Sequence, residues 1–254
     1  MEVNIQGAPV YFRIPKPDWL PFDLPITSSL VVTWGIMLIL TGLCIFLTRN
    51  LKVRGVTKRQ AVAEFIVSTA ENFVQTNMGA KWLGWTPFIA AIFALSLLSS
   101  LSSLLGLFAP TADVNTELAW AVVVFICITY QKIRTEGPLG YAIGFTKPIF
   151  VLTPFNIVSE LATPITMAFR HFGNIVSGYV ISSLIYAALA TANQALFGWL
   201  PGAVGQWLAA IPFLSVGIPT LFGLYFDWFS SFMQAFIFCM LTMMYIASAA
   251  ESDS

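Results

Sequence analysis

Three side chains of fixed charge interrupt the apolar stretch from Phe155 to Ala250: Glu160, Arg170 and Asp227. A charge in lipid costs several kcal/mol unless it faces protein or water, so each is a functional candidate by default. Glu160 and Asp227 are of a type that can take up and release protons. An arginine, with a pKa above about 12, keeps its proton and suits electrostatic control of a partner carboxylate. At about 100° per residue, Asn156, Ser159, Glu160, Thr163, Thr166, Arg170, Asn174, Ser177 and Gly178 share one helical stripe. A second helical run carries Thr220, Asp227, Ser230, Ser231, Gln234, Tyr245 and Ser248 on a matching stripe. Two such stripes predict a hydrated or partner-facing seam. The alternative is a structural ion pair between Arg170 and Asp227, with the hydroxyls satisfying backbone groups. Gly173, Ser177 and Gly178 beside Arg170 leave room for another helix to approach closely.

The elements that must position these residues are set by composition. The chain has 254 residues, 57% hydrophobic and 9% charged. A soluble domain carries about 25% charged residues, so this one is a membrane protein. Twelve basic and twelve acidic residues give no field to attract nucleic acid. Cys44, Cys127 and Cys239 lie far apart in apolar runs, without disulfide or zinc spacing, and His171 is the only histidine. Neither a metal site nor a cofactor is expected. The proline-rich N-terminal segment lacks the features of a signal peptide, so its retention is expected.

Hydropathy predicts an all-α polytopic membrane protein folded as a single membrane domain over 1–254. Span one covers 26–48. The next loop carries Arg49, Lys52, Arg54, Lys58 and Arg59 with no acid, which makes it cytoplasmic by the positive-inside rule. Residues 60–78 form an amphipathic, interfacial helix. Spans two (86–109) and three (115–134) make a hairpin, with Asp113 and Asn115 capping the return and Lys132 and Arg134 snorkelling from its end. A proton-inlet role for Asp113 is the weaker reading. The Gly- and Pro-rich segment after span three reads as an irregular connection. Two long helices, 155–192 and 206–250, complete the chain. The first would be about 57 Å long, so it must tilt or break. Basic residues then gather on one side, placing the N-terminus outside and the C-terminus in the cytoplasm.

The segment PFNIVSELATPITMAFRHFGNIVSGYVI strongly resembles the signature of subunit a of F-type ATP synthases, in which an arginine precedes L/H-F-G-N. QAFIFCMLTMMYIASA and PTADVNTELA resemble that family's C-terminal helix and outward loop, in the right order and spacing. The resemblance implies a stator in which two tilted helices clasp a rotating c-subunit ring. Other expected partners are the b-subunit peripheral stalk, the remaining ATP synthase complex and the lipid bilayer of a bacterial plasma membrane. Arg170 then stands between two half-channels and blocks a proton short circuit. Asn174 and Gln234 line the seam, and Glu160, Asn156 and Ser159 fall to the outlet half-channel. Where relatives carry Glu or His nine residues after the arginine, this chain has Tyr179, a poor neutral-pH relay. Asp227 occupies the position where relatives carry His or Glu and becomes the main titratable group of the inlet, with Tyr179 as a hydrogen-bond partner. His171, where many relatives have Leu, is assigned to packing or a hydrogen bond beside Arg170, with tuning of proton access the lesser reading.

Two other functions compete. A self-contained secondary ion transporter is favoured by broken helices and disfavoured by the lack of internal repeats. An intramembrane hydrolase would need a Ser/His pair or two close aspartates, and G-x-S-x-G is absent. Proton and sodium coupling both remain open, since the coordinating site would lie mostly on the ring.

Overall fold

The structure is a computed structural model, and its described residues are 8–15, 23–53, 57–147, 149–197 and 224–250. The side chains of Tyr179, Phe197, Leu224, Phe226 and Asp227 lie outside that description. Among the described residues six α-helices make up the fold: α1 (Ser28–Thr48), α2 (Lys58–Met78), α3 (Thr86–Leu101), α4 (Val114–Gly144), α5 (Thr153–Phe197) and α6 (Ser231–Ser248). Among the described residues, five helical segments are long and apolar enough to cross a bilayer: 28–48, 80–105, 114–144, 150–196 and 228–248. The all-α polytopic class expected from composition is therefore the observed one.

The chain opens with an element that hydropathy does not announce. Strands β1 (Val10–Ile14) and β2 (Leu24–Thr27) pair antiparallel, Arg13 opposite Pro25 and Ile14 opposite Leu24. The Val-Tyr-Phe-Arg-Ile run of β1 is rich in β-branched and aromatic residues, the composition that favours a pleated strand. β2 leads directly into α1, where the Thr27 hydroxyl accepts a hydrogen bond from the Leu30 amide.

Three local devices set the helix ends. Thr57 caps α2 by accepting from the Gln60 amide, while the Gln60 side chain bonds the Lys52 backbone and Glu64. Gly79 ends α2 at φ +94°, a conformation that glycine adopts without a Cβ penalty. Asp113 caps α4 through its Asn115 amide bond.

One expectation needs correction. The Gly- and Pro-rich segment after span three is mostly helical, since α4 runs on to Gly144 with one break, at Gly137 (φ 77°, ψ 164°). Pro138 follows that break, where its missing N–H interrupts no ladder, so the helix restarts beyond the kink. α5 is helical over 45 residues with Pro164 inside it. At 1.5 Å per residue it is about 67 Å long, roughly twice the hydrocarbon thickness. Of the second long run, residues 206–223 lie outside the description; a π-helical segment (Leu224–Ser230) then leads into α6.

The core is built around α6. Ala235, Cys239, Met243 and Ile246, spaced by three or four, are fully buried, and the last three share one cluster with Val74, Ile89, Val124, Met167 and Ala168. α1, in contrast, exposes Leu38, Ile39, Ile45 and Phe46, as a lipid-facing span does.

Candidate functional site

The burial of α5 orients its polar stripe. Met167, Ala168 and His171 face the core, whereas Leu161, Ile165 and Phe169 are exposed on the opposite side. At about 100° per residue, Arg170, Asn174 and Ser177 fall along the edge between these faces. Arg170 is exposed there, and among the described side chains it forms no ion pair. The result is a fixed cation at the rim of an apolar helix face, with neighbouring helices closing one side.

Two pairings fasten that closed side. Asn174 donates from its side-chain amide to the Ser230 hydroxyl, joining α5 to the segment before α6. Gln234 follows Ser230 by one turn and is half-buried. Ten residues before Arg170, Glu160 accepts from Lys132 of α4 through both carboxylate oxygens, each at 2.7 Å. This pair lines a cavity of about 60 Å³ together with Phe125, Ile128, Thr163, Tyr245 and Ser248. Such a volume has room for water among polar partners. Lys132, expected to snorkel from the end of span three, pairs with the acid assigned to the outlet.

Other expected site residues are used locally. Asn156 donates to the carbonyls of Phe145 and Lys147, tying the start of α5 to the α4–α5 connection. Ser159 is exposed, and its carbonyl accepts from Thr163. Asp113 accepts 2.6 Å from the Ser29 hydroxyl while capping α4, so it joins α1 to the α3–α4 loop. The side chains of Tyr179 and Asp227 lie outside the description; their backbones belong to α5 and to the segment before α6.

Sequence reasoning missed one acid. Glu117 is fully buried, and its Oε2 lies 3.3 Å from His171 Nδ1. Its position in the first turn of a capped helix, where acids are ordinary, conceals it. Counting every carboxylate inside an apolar span would have exposed it. His171 is 1% exposed, with Nε2 3.4 Å from Ser100 Oγ, so it packs and pairs behind Arg170.

Comparison with known proteins now bears on these features. The family model described as ATP synthase A chain matches residues 30–247, a range that holds Arg170, both polar stripes except Ser248, and all six helices but for the ends of α1 and α6. The chain belongs to the ATP synthase subunit a family. Over its whole length it is 29% identical to ATP synthase subunit a of Desulforamulus reducens, covering 91% of that protein. It is 33% identical to ATP synthase subunit a 3 of Pelobacter propionicus, over 86% of each chain. A sodium ion specific ATP synthase subunit a, from Propionigenium modestum, is 28% identical over 95% of this chain and 84% of its own. As a subunit a, this multi-pass membrane protein is a component of the ATP synthase complex with the stator role in ion translocation.

Proposed function

We propose that this subunit forms two half-channels that pass protons to and from the carboxylates of a rotating c-subunit ring, with Arg170 between them. The observation that carries the reading is the exposed Arg170 on the edge of a helix whose outward face exposes Ile165 and Phe169. An apolar partner bearing one carboxylate complements such a face. Pairing with the fixed cation holds that carboxylate ionised until it moves on, and the same cation repels a proton crossing directly between the half-channels.

Asp227 is the main titratable group of the inlet, with Tyr179 a hydrogen-bond partner. Asn174 and Gln234 line the seam near Arg170. Glu160, with Asn156 and Ser159, serves the outlet; the cavity beside the Lys132–Glu160 pair supports this assignment. The chain has no catalytic chemistry of its own and works against the ring while held by the b-subunit peripheral stalk. Its place is a bacterial plasma membrane, with the N-terminus outside and the C-terminus in the cytoplasm. The basic loop that includes Lys52 and Arg59 supports that orientation.

Reconstituting the purified chain without a ring tests the reading against a self-contained transporter. Proteoliposomes under an imposed proton or sodium gradient show no flux above lipid alone if the ring carboxylate is obligatory. Saturable flux from the chain alone would establish a transporter instead.

A further inference from the structure

The Glu117–His171 pair is not accounted for by packing. Glu117 is fully buried and His171 1% exposed, and neither Glu117 oxygen nor His171 Nδ1 has an aligned hydrogen bond. The 3.3 Å approach pairs them electrostatically without satisfying them. Replacing such a pair by apolar residues of similar volume is often neutral or stabilising, so the fold alone gives no reason for it.

Polar groups flank the pair on two sides. On one side, His171 Nε2 lies 3.4 Å from Ser100 Oγ, which donates 3.2 Å to Thr111 Oγ1 in the α3–α4 loop. On the other, Asn174 is one helical turn along α5 from His171 and joins Ser230. Among the described side chains few other charges act here, and that of Asp227 lies outside the description. Asp113 is engaged by Ser29 and Asn115, and Arg170 is adjacent on α5. α3 carries no ionisable side chain, α1 only Cys44, and α6 only Cys239 and Tyr245.

We propose that Glu117 and His171 form a proton-exchanging dyad that carries protons between the Thr111–Ser100 side and the Asn174–Ser230 edge of the polar stripe. The inference rests on the ion-translocating reading of α5. The resting pair holds one proton, on the carboxyl or on the imidazole. A second proton arriving along the Ser100 side leaves a carboxylic acid beside an imidazolium. Loss of one proton toward Asn174 restores the resting pair. The resting pair is neutral overall, and the loaded state carries one net positive charge, so the two groups gain and lose the transferred proton as one unit.

The test uses inverted vesicles containing the whole complex, with assembly measured by co-purification and ATP-driven ion uptake followed across pH. Glu117→Gln, His171→Gln and the double Glu117→Leu/His171→Leu variant are compared with wild type and with Arg170→Ala. The dyad predicts an uptake loss of about tenfold or more in each assembled dyad variant, with an altered pH profile in the single variants. A structural pair predicts wild-type uptake and pH profile in an assembled Glu117→Gln or double-Leu variant, and either result overturns the proposal. Wild-type vesicles that accumulate sodium in place of protons would also overturn it. Uptake by Arg170→Ala would instead sink the half-channel reading, whatever the dyad variants do.

Discussion

Lys132 Nζ sits 2.7 Å from both carboxylate oxygens of Glu160, bridging α4 and α5 at side-chain exposures of 30% and 18%. If Glu160 serves the outlet as proposed, it has the Lys132 cation to leave before it can exchange protons freely. Removing only the lysine strands a half-buried carboxylate, whereas removing both charges does not. Lys132→Met should lower ion uptake, and adding Glu160→Gln should cost less than the two single changes summed. The expected coupling is about 0.5–3 kcal/mol, read as thermal stability of the solubilised complex. Additive losses would show that the two side chains act independently.

Asp113 holds the α3–α4 loop through two contacts, the α4 cap and the Ser29 hydroxyl. Asp113→Ala should destabilise the subunit by about 0.5–2 kcal/mol, the usual cost of a lost cap. Asp113→Asn keeps an acceptor and should pump normally per assembled complex. A deep uptake loss in well-assembled Asp113→Asn would restore this residue to the proton path.

Gly137 breaks α4 at φ 77°, ψ 164°, with no atom near enough to obstruct a Cβ. Any penalty for Gly137→Ala is therefore one of backbone conformation, about 1–3 kcal/mol. A lowered melting temperature of the complex, undiminished by trimming neighbouring side chains, is the expected signature. An unchanged melting temperature would mean that α4 can straighten through this point at no cost.

Asp227 is assigned as the main inlet group. Asp227→Asn keeps its size and removes its titration, so proton uptake should fall steeply while co-purification with the ring persists. Unchanged uptake at every accessible pH would remove Asp227 from the path.

The fold class was legible because charge-free runs such as 28–48 leave water no surface to wet. Local breakers misled more than hydropathy did. Gly137 and Pro138 read as the start of a loop, yet a glycine kink followed by a proline at a helix start lets α4 resume. The β1–β2 hairpin escaped because its side chains are largely exposed and show no burial alternation. Within the site, helical spacing placed Arg170 and Asn174 on one edge, since about 100° per residue is a property of the backbone itself. Spacing within one helix is silent on partners across helices. It therefore missed Lys132 for Glu160, Glu117 for His171, and the backbone carbonyls that occupy Asn156.

The most direct test of the account is ATP-driven ion uptake by inverted vesicles carrying the assembled complex with Arg170→Ala, assembly being verified by co-purification with the ring. Uptake lost while assembly persists is the predicted result, because Arg170 is the one arginine or lysine in the α5 sequence. Uptake retained in the assembled variant would reduce Arg170 to a structural residue and contradict the mechanism.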